Sequence, residues 1–452
     1  CNILQKYFAF FSKKCLQKTT LLKKGLSAVL AGTMVLGLAA CASGSGGDSK
    51  DEGGDKSVTL KWQQWWAVEC PEGYVQDIVD KYEKETGIKI ELLSAPFADT
   101  KTQITSGAST GTVADIVSVD SSWVYDFADQ GILTNQSDLM DKDGFDQDII
   151  DSEWQVDGST YAVPVVNFAY PMYANQDILD EAGVTELPKT WSEFEAACQK
   201  IKDAGYYPFA LNLDTTSPSG IQNSYMGFAW ASGIKIKDED GNYNIADNAD
   251  MKAFAEYMKG LNDKGYIYPG MSSLTEADMS SKFCSGEIAF HINSAALLTS
   301  YRKEAPDMNI TGAPIPVKDD YTGDKGMCVA SWAFGVTEKS EHKAEAMKFI
   351  EYLLSGADGK DGSICADLAV TQSAFPNSTL AKPDYSGADE VFQDIYDMYQ
   401  GGYPINEFTG MKEANTIMTD YINELVPYMD GKQDVDTFLG KVQKDIDEVY
   451  GK

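Results

Sequence analysis

The chain has 452 residues, 43% of them hydrophobic, and its 69 acidic and 37 basic residues give a formal net charge of −32. This excess of negative charge argues against nucleic acids and anionic surfaces as partners, because phosphate binding needs clustered Lys and Arg. The sequence contains one Arg, Arg302. Anionic ligands are usually held by the planar Arg fork, so the composition favours a neutral or cationic ligand. The length is sufficient for at least two compact domains.

The N-terminal region has the pattern of an export signal. Residues 1–24 contain six Lys and no acidic residue, and the apolar run Leu26–Leu38 follows them. That run is too short to span a bilayer as a helix. It ends in Leu38-Ala39-Ala40-Cys41, which resembles the bacterial lipobox. The pattern predicts a signal peptide over 1–40, a lipid on Cys41 that anchors the chain at the outer face of the cell membrane, and a flexible tether within 41–57.

The next elements alternate between strands and helices. Apolar residues alternate with polar ones around Trp62, which predicts a strand with Trp62 in the core, and helical spacing further on ends at Gly87. In chain order the patterns predict a strand over 58–62, a helix over 75–82, a strand over 88–92, a helix over 98–107 and a strand over 114–119. This order predicts a parallel sheet covered by helices.

The second half of the chain is also α/β in pattern. Thr190-Trp191-Ser192-Glu193 is a capping box before an apolar stripe, and further helices are predicted from about Ser340 to Leu354 and near the C-terminus. The cysteines beyond Cys41 are odd in number and match no zinc spacing: Cys70, Cys198, Cys284, Cys328 and Cys365. We expect most of them to be buried apolar residues.

The sequence offers little material for catalysis. Gly107–Gly111 matches the GxSxG pattern but lies between a predicted helix and a strand, the reverse of the required order. The chain has two His, and the acidic turns Asp141–Gly144 and Asp238–Gly241 have Gly at the fourth position rather than the sixth of a calcium loop. We therefore predict no enzyme, metal or cofactor. Paired carboxylates of a glycosidase or polysaccharide lyase remain an open alternative.

Four stretches resemble the extracellular solute-binding proteins of carbohydrate ABC importers, the family that includes maltose-binding protein. The most specific is YANQDILDEAGVTELPKTWSEFEAACQKIK, which is similar to the family's pattern around Pro-Lys-Thr-Trp. The four stretches are Ala114–Leu133, Tyr173–Lys202, Phe283–Val317 and Trp332–Ser355. The chain departs from the family where Asn293-Ser294 leads into Ala295-Ala296, without the aromatic residue that is common there.

The resemblance implies an α/β, two-lobed periplasmic-binding-protein-like fold of type II, in which each lobe is a mainly parallel sheet flanked by helices. It implies an N-terminal lobe of residues 58–166 plus 313–372 and a C-terminal lobe of 167–312 plus 373–452. The chain would cross between the lobes near Pro164–Asn167, near Ala313–Pro316 and around 371–376. The lobes would close over a ligand by bending at these crossings.

Two loops at the carboxyl ends of predicted strands carry the candidate site. Sugars need flat aromatic side chains for their C–H face and carboxylates or amides for their hydroxyls, and open α/β sheets bind ligands beyond the ends of the strands. The loops supply Trp65, Trp66, Glu69, Asp120 and Trp123. Trp66 could instead pack inside the lobe, and Asp120 could cap the following helix. Position in the family pattern adds Tyr170, Trp230, Asn293 and Trp332 as ligand-binding candidates.

The resemblance thus implies a lipid-anchored, monomeric receptor that captures a neutral sugar or oligosaccharide and delivers it to an ABC transporter permease. Two other readings stay open. The first is the surface-anchored glycosidase or lyase. The second keeps the binding fold but takes peptides or polyamines as ligands, because the acidic composition suits a cation.

Overall fold

A computed structural model describes residues 58–143, 145–356 and 359–451. The predicted signal peptide, Cys41 and the tether lie outside the described residues. The described part is an α/β structure with two β-sheets, as predicted. No helix in these ranges is long and apolar enough to cross a membrane.

The strands number twelve in the described ranges. They are β1 (Thr59–Gln64), β2 (Lys89–Ser94), β3 (Ile116–Val119), β4 (Trp154–Val156), β5 (Ser159–Ala169), β6 (Met172–Asn175), β7 (Tyr207–Phe209), β8 (Ile288–Ile292), β9 (Ile310–Ala313), β10 (Gly326–Val336), β11 (Phe375–Pro376) and β12 (Tyr403–Ile405).

The helices alternate with them. They are α1 (Trp66–Glu69), α2 (Tyr74–Thr86), α3 (Phe97–Thr110), α4 (Val124–Asp129), α5 (Gln136–Asp143), α6 (Gln176–Glu181), α7 (Trp191–Asp203), α8 (Met226–Ala231), α9 (Ala249–Asp263), α10 (Glu276–Cys284), α11 (Leu298–Glu304), α12 (Lys343–Ser355), α13 (Ser363–Thr371), α14 (Glu390–Gln400), α15 (Ala414–Met429) and α16 (Val435–Tyr450).

The larger sheet has the strand order β11-β5-β10-β3-β1-β2, with β12 beside β10 and β4 beside β5. The predicted β-α-β-α-β start is present, since β1 pairs in parallel with both β2 and β3. The long strand β10 then lies antiparallel between β3 and β5.

The smaller sheet has the order β7-β8-β6-β9. One of its pairs, β7 with β8, is parallel, whereas β6 runs antiparallel to both β8 and β9. Both sheets are therefore mixed, and the expectation of mainly parallel sheets is corrected. The reason is the order of the strands along the chain. The chain leaves the larger sheet after β5 and returns to it at β10, so these two neighbouring strands run in opposite directions and pair antiparallel.

Local sequence signals account for several element ends. Gly87 ends α2 with a φ of 76°, a left-handed conformation that glycine adopts without strain, as the sequence predicted. The predicted capping box at Thr190 is confirmed: the Thr190 side chain accepts a hydrogen bond from the backbone N–H of Glu193, and the Glu193 carboxylate accepts one from the backbone N–H of Thr190. Ser109 lies on α3, so the GxSxG match has no strand before it.

Two large hydrophobic clusters cover the sheets. One packs around the larger sheet and contains Trp62, Trp66, Phe334 and Phe349. The other packs around the smaller sheet and reaches the C-terminal helices through Tyr421. All five cysteines of the described residues are free, and four of them are buried.

Candidate ligand-binding site

The loop after β1 is shaped by the buried side chain of Gln64. Its amide nitrogen donates to Ser94 Oγ at 2.6 Å, and its carbonyl oxygen accepts the backbone N–H of Ala67 at 2.8 Å. These two bonds fix the turn from β1 into α1. The turn orients Trp65 and Trp66 in opposite directions, towards different aromatic neighbours.

Trp66 packs on the interior side of this loop. Its ring stacks on Trp332 of β10, with centroids 4.7 Å apart, and meets Trp62 edge-on at 5.3 Å. Trp66 is 2% exposed, and its buried indole N–H has no hydrogen-bond partner. Trp332 is 6% exposed and also meets Phe168. The structure thus joins two sequence candidates, Trp66 and Trp332, in one stacked pair.

Trp65 belongs to a second group of rings, the aromatic trio of Trp65, Phe97 and Trp123. Phe97 stacks on Trp123 with centroids 5.1 Å apart and meets Trp65 edge-on at 5.2 Å. Trp65 and Trp123 are 3% and 5% exposed, whereas Phe97, at the first position of α3, is 43% exposed. The ring that solvent reaches is therefore Phe97, which the sequence analysis did not select.

Asp120 directly follows β3 and begins the loop that carries Trp123. One of its carboxylate oxygens accepts the Ser122 backbone N–H at 2.9 Å and the Ser122 hydroxyl at 2.6 Å. Burial raises the pKa of Asp120, while these bonds and the charge of Lys101 oppose the rise. Trp123, rather than Asp120, is the residue at the cap of α4, so Asp120 forms a local turn and does not cap that helix.

Tyr170 lies where the chain passes from the larger sheet to the smaller one, between β5 and β6. Its backbone N–H donates to the Cys328 carbonyl at 3.0 Å. Burial raises the pKa of its phenol well above the usual range, and the charges of Glu276, Asp120 and Glu69 raise it further. The charges of the candidate loops and of α10 thus act on Tyr170.

Asn293 follows β8 of the smaller sheet and anchors a polar group there. Its amide nitrogen lies 3.2 Å from Ser280 Oγ and 3.2 Å from His291 Nε2, and its oxygen accepts the Ser294 backbone N–H at 2.7 Å. Burial raises the pKa of Glu276, and the side chains of Asn223 and Asn293 oppose that rise. This sequence candidate therefore acts on Glu276 and is itself 1% exposed.

The carboxyl pair, Glu69 and Glu276, comes from elements beside two different sheets. Glu69 ends α1, beside the larger sheet, and Glu276 starts α10, which packs on the smaller sheet through β8. The Glu69 side chain is reached by solvent, yet enough protein surrounds it that burial, followed by the charge of Glu276, raises its pKa to about 7.

Trp230 is not brought to these groups. It is fully buried on α8, its indole N–H donates to Glu407 at 2.8 Å, and its ring meets Phe408. The same Glu407 carboxylate accepts the backbone N–H groups of Ile236 and Lys237. Trp230 therefore lies in the hydrophobic cluster of the smaller sheet.

Three residues of this arrangement were not predicted from the sequence: Phe97, Asn223 and Glu276. Phe97 follows Pro96 at the start of a helix, and an apolar residue at such an exposed position was a signal that could have been used. Glu276 follows the helix cap Thr275 in a sequence that reads only as a capping box. Asn223 lies in a π-helical turn, Ile221–Tyr225, that no periodicity predicts.

The described residues contain no cluster of His, Cys, Asp and Glu that could hold a metal ion. What the arrangement offers a ligand is a partly exposed aromatic surface, the trio, whose loops also carry the carboxyl groups of Glu69 and Asp120. Such a surface binds molecules that present an apolar face and many hydroxyl groups.

Comparisons with known proteins agree with the fold. Residues 71–360 match the model of the family described as bacterial extracellular solute-binding protein. The chain therefore belongs to the bacterial extracellular solute-binding proteins, and the resemblance seen in the sequence is confirmed. It is 25% identical to the maltodextrin-binding protein MdxE of Bacillus subtilis (strain 168) over 417 residues, which cover 88% of this chain and 91% of that protein.

Solved structures give the fold class. The GacH receptor of Streptomyces glaucescens matches with a TM-score of 0.68 at 18% identity, over 87% of this chain and 99% of that one. The sugar-binding protein MalE of Xanthomonas citri matches with a TM-score of 0.70 at 18% identity, over 87% and 98%. The predicted fold, that of the type II periplasmic binding proteins, is confirmed.

Proposed function

We propose that this protein is a lipid-anchored, monomeric receptor that captures a neutral sugar or oligosaccharide and delivers it to an ABC transporter permease. The observation that carries the proposal is a partly exposed aromatic trio whose loops also carry the carboxyl groups of Glu69 and Asp120. An aromatic ring packs on the apolar face of a sugar, and buried oxygens accept hydrogen bonds from its hydroxyl groups. The ligands named for the similar proteins, a maltodextrin, acarbose and a sugar, support a carbohydrate.

The capture step that we propose is closure of two lobes. The lobes are residues 58–166 with 313–372, and residues 167–312 with 373–452. Tyr170 and β10 lie where the chain passes between the two sheets, and bending there would bring the carboxyl pair and the trio onto the ligand.

The ligand contacts that we propose are Glu69, Asp120 and Tyr170, together with Phe97 and Glu276, while Trp123 supports the ring of Phe97, on which it stacks. We propose that Trp65, Trp66, Trp332 and Asn293 hold these residues in position, since each is buried against one of them or its loop. Trp230 is assigned to the core, because its N–H is already bonded to Glu407.

The anchor that we propose is the lipid on Cys41, at the extracytoplasmic face of the cell membrane. Replacing Cys41 by Ser should release the protein from washed membranes into the medium while leaving its sugar binding unchanged. Membrane retention of Cys41→Ser would contradict the anchor and leave the receptor proposal in place.

The test of the receptor proposal is a thermal-shift screen of residues 42–452 against monosaccharides, oligosaccharides, peptides and polyamines. A ligand at a hundredfold excess over its Kd adds about 2.7 kcal/mol to the free energy of unfolding, so a true ligand should raise the Tm by several degrees. A shift with one sugar series supports the proposal. A shift only with peptides or polyamines would overturn the carbohydrate assignment.

The same sugars also test the enzyme alternative. Prolonged incubation of the protein with each stabilising oligosaccharide, followed by chromatography, should return the sugar uncleaved. Formation of shorter products would favour the glycosidase or lyase, in which the carboxyl pair would supply acid and base.

A further inference from the structure

Lys101 lies one helical turn after Phe97 on α3. Residues four apart on a helix share a face, so the Lys101 side chain leaves α3 on the same side as the exposed Phe97 ring. The Lys101 ammonium nitrogen lies 5.9 Å from the centroid of the Trp123 ring, and Phe97 stacks on that same ring at 5.1 Å. The exposed ring and the ammonium group therefore lie against one supporting tryptophan.

The Lys101 ammonium is held in this position from α4. It lies 3.7 Å from a carboxylate oxygen of Asp126, and the two side chains are 34% and 22% exposed. At 3.7 Å the two groups form an ion pair without a short hydrogen bond, and an ammonium group carries three N–H donors. Lys101 can therefore keep its ion pair and still donate a hydrogen bond to a group that arrives from solvent.

The charges around Lys101 indicate which kind of group that is. Burial raises the pKa of Asp126, and the charge of Lys101 opposes this rise. Burial also raises the pKa of Asp120, and the same lysine opposes that rise. One positive charge thus acts on two carboxyl groups, so the net charge here does not favour an anionic ligand. What the ammonium offers is a donor for an uncharged acceptor, such as the oxygen of a sugar hydroxyl.

We infer that Phe97 and Lys101 form one sugar subsite, in which the Phe97 ring packs on the apolar face of a sugar ring and the Lys101 ammonium donates a hydrogen bond to a hydroxyl oxygen at its rim. The inference rests on the proposed function and deepens it. A ring alone accepts any sugar face on which it can stack, whereas a positioned donor requires an oxygen in one place. Lys101 therefore makes the subsite selective for the position of one hydroxyl group.

The first measurement is calorimetric titration of the stabilising sugar into the wild type and into Lys101→Met. Methionine keeps an unbranched side chain over Trp123 and removes the ammonium group. We expect the Kd to rise by roughly 10- to 100-fold, the effect of losing a hydrogen bond from a charged group. Lys84→Met removes an exposed ammonium from α2 and should leave the Kd unchanged. An unchanged Kd for Lys101→Met would overturn the inference and leave the receptor proposal in place.

A second measurement separates ligand contact from support of Trp123. Sugars that each lack one hydroxyl group should bind the wild type more weakly at one position or more, and Lys101→Met should lose the discrimination at one of these positions. Asp126→Asn removes the ion pair but keeps the ammonium, so it should retain that discrimination. If Lys101→Met weakened the binding of every deoxy sugar by the same factor as the parent sugar, Lys101 would act only through Trp123, and the subsite would be overturned.

The uronic acid that corresponds to the stabilising sugar tests the charge of the subsite. It should bind the wild type no more tightly than the neutral sugar, because Asp126 already pairs with the ammonium. Tighter binding of the uronic acid that disappears in Lys101→Met would overturn the hydroxyl assignment in favour of an ion pair with the ligand. Failure of every sugar to bind the wild type would overturn the proposed function together with the subsite.

Discussion

Phe97 is the member of the aromatic trio that a ligand can reach. Trp65 and Trp123 lie behind it and belong to the hydrophobic cluster of the larger sheet. Alanine at either tryptophan would leave a cavity that costs about 3–5 kcal/mol of stability, so lost binding there would not separate contact from folding. A change at Phe97 tests contact more directly.

We expect Phe97→Ala to raise the Kd for the sugar by roughly 2- to 13-fold, the effect of losing about 0.5–1.5 kcal/mol of ring contact. Phe97→Tyr, which keeps the ring, should stay close to the wild type. Titration calorimetry measures both. Tyr207→Ala removes another partly exposed ring, one that packs on Tyr268, and serves as the control. Equal affinities for Phe97→Ala and the wild type would remove Phe97 from the site.

The assignment of Trp230 to the core can be tested by changing Glu407, to which the Trp230 indole donates a hydrogen bond. Its carboxylate accepts three hydrogen bonds, from the Trp230 indole and from the backbone of Ile236 and Lys237. Glu407→Ala should lower the free energy of unfolding by about 2–4 kcal/mol, because charge-assisted bonds contribute about 1.5–3 kcal/mol each and their donors would be left unpaired. Urea unfolding measures the loss. An unchanged Kd in the folded variant would confirm that Trp230 supports the core.

At the scale of elements, a small set of buried side-chain amides holds together the strands of the larger sheet next to which the chain passes to the smaller sheet. Asn377 follows β11, is fully buried, and donates to the carbonyl oxygens of Ser152 and Pro164, while its own oxygen accepts the Ser152 hydroxyl at 2.7 Å. Nearby, Ser331 of β10 donates to Asn167 of β5 at 2.6 Å. These bonds tie β4, β5 and β11 into one unit.

We expect Asn377→Ala to lower the free energy of unfolding by roughly 2–4 kcal/mol, since the buried Pro164 carbonyl and the Ser152 carbonyl lose their donor and the Ser152 hydroxyl loses its acceptor. The urea midpoint measures this. Asn423→Ala, an exposed amide on α15, is the matched control and should change stability by less than about 0.5 kcal/mol. A similar small effect for both variants would mean that water replaces the Asn377 bonds.

At the scale of the whole molecule, the five described cysteines all lack a disulfide partner. Burial raises the pKa of Cys365 to about 12, and burial followed by the charge of Glu304 raises that of Cys284, the one that is partly exposed, to about 11. Residues 42–452 should therefore show at most one slowly reacting thiol with Ellman's reagent at pH 8 and five in guanidinium chloride. Fewer than five in denaturant would reveal a disulfide.

The sequence predicted much of this fold because its signals are local. The alternation around Trp62, the end of α2 at Gly87 and the capping box at Thr190 each depend on residues a few positions apart. The site was predicted less completely. Phe97, Asn223 and Glu276 become neighbours of the candidate loops only through contacts across long stretches of chain, which periodicity does not report. The mixed strand directions depend on long-range pairing in the same way.

The position of β10 also determines when the protein can fold. β3 ends at Val119, yet its neighbour in the larger sheet is β10, more than 200 residues later in the chain, and β10 contributes Cys328 to one hydrophobic cluster and Trp332 to the other. Neither core can be complete at residue 336, because the clusters continue to Ala374 and Ile446, and contacts this distant in sequence form slowly. Neither core is therefore complete for most of the chain's synthesis. If the chain is exported as we propose, this delay would keep it extended enough to pass through a membrane before it folds.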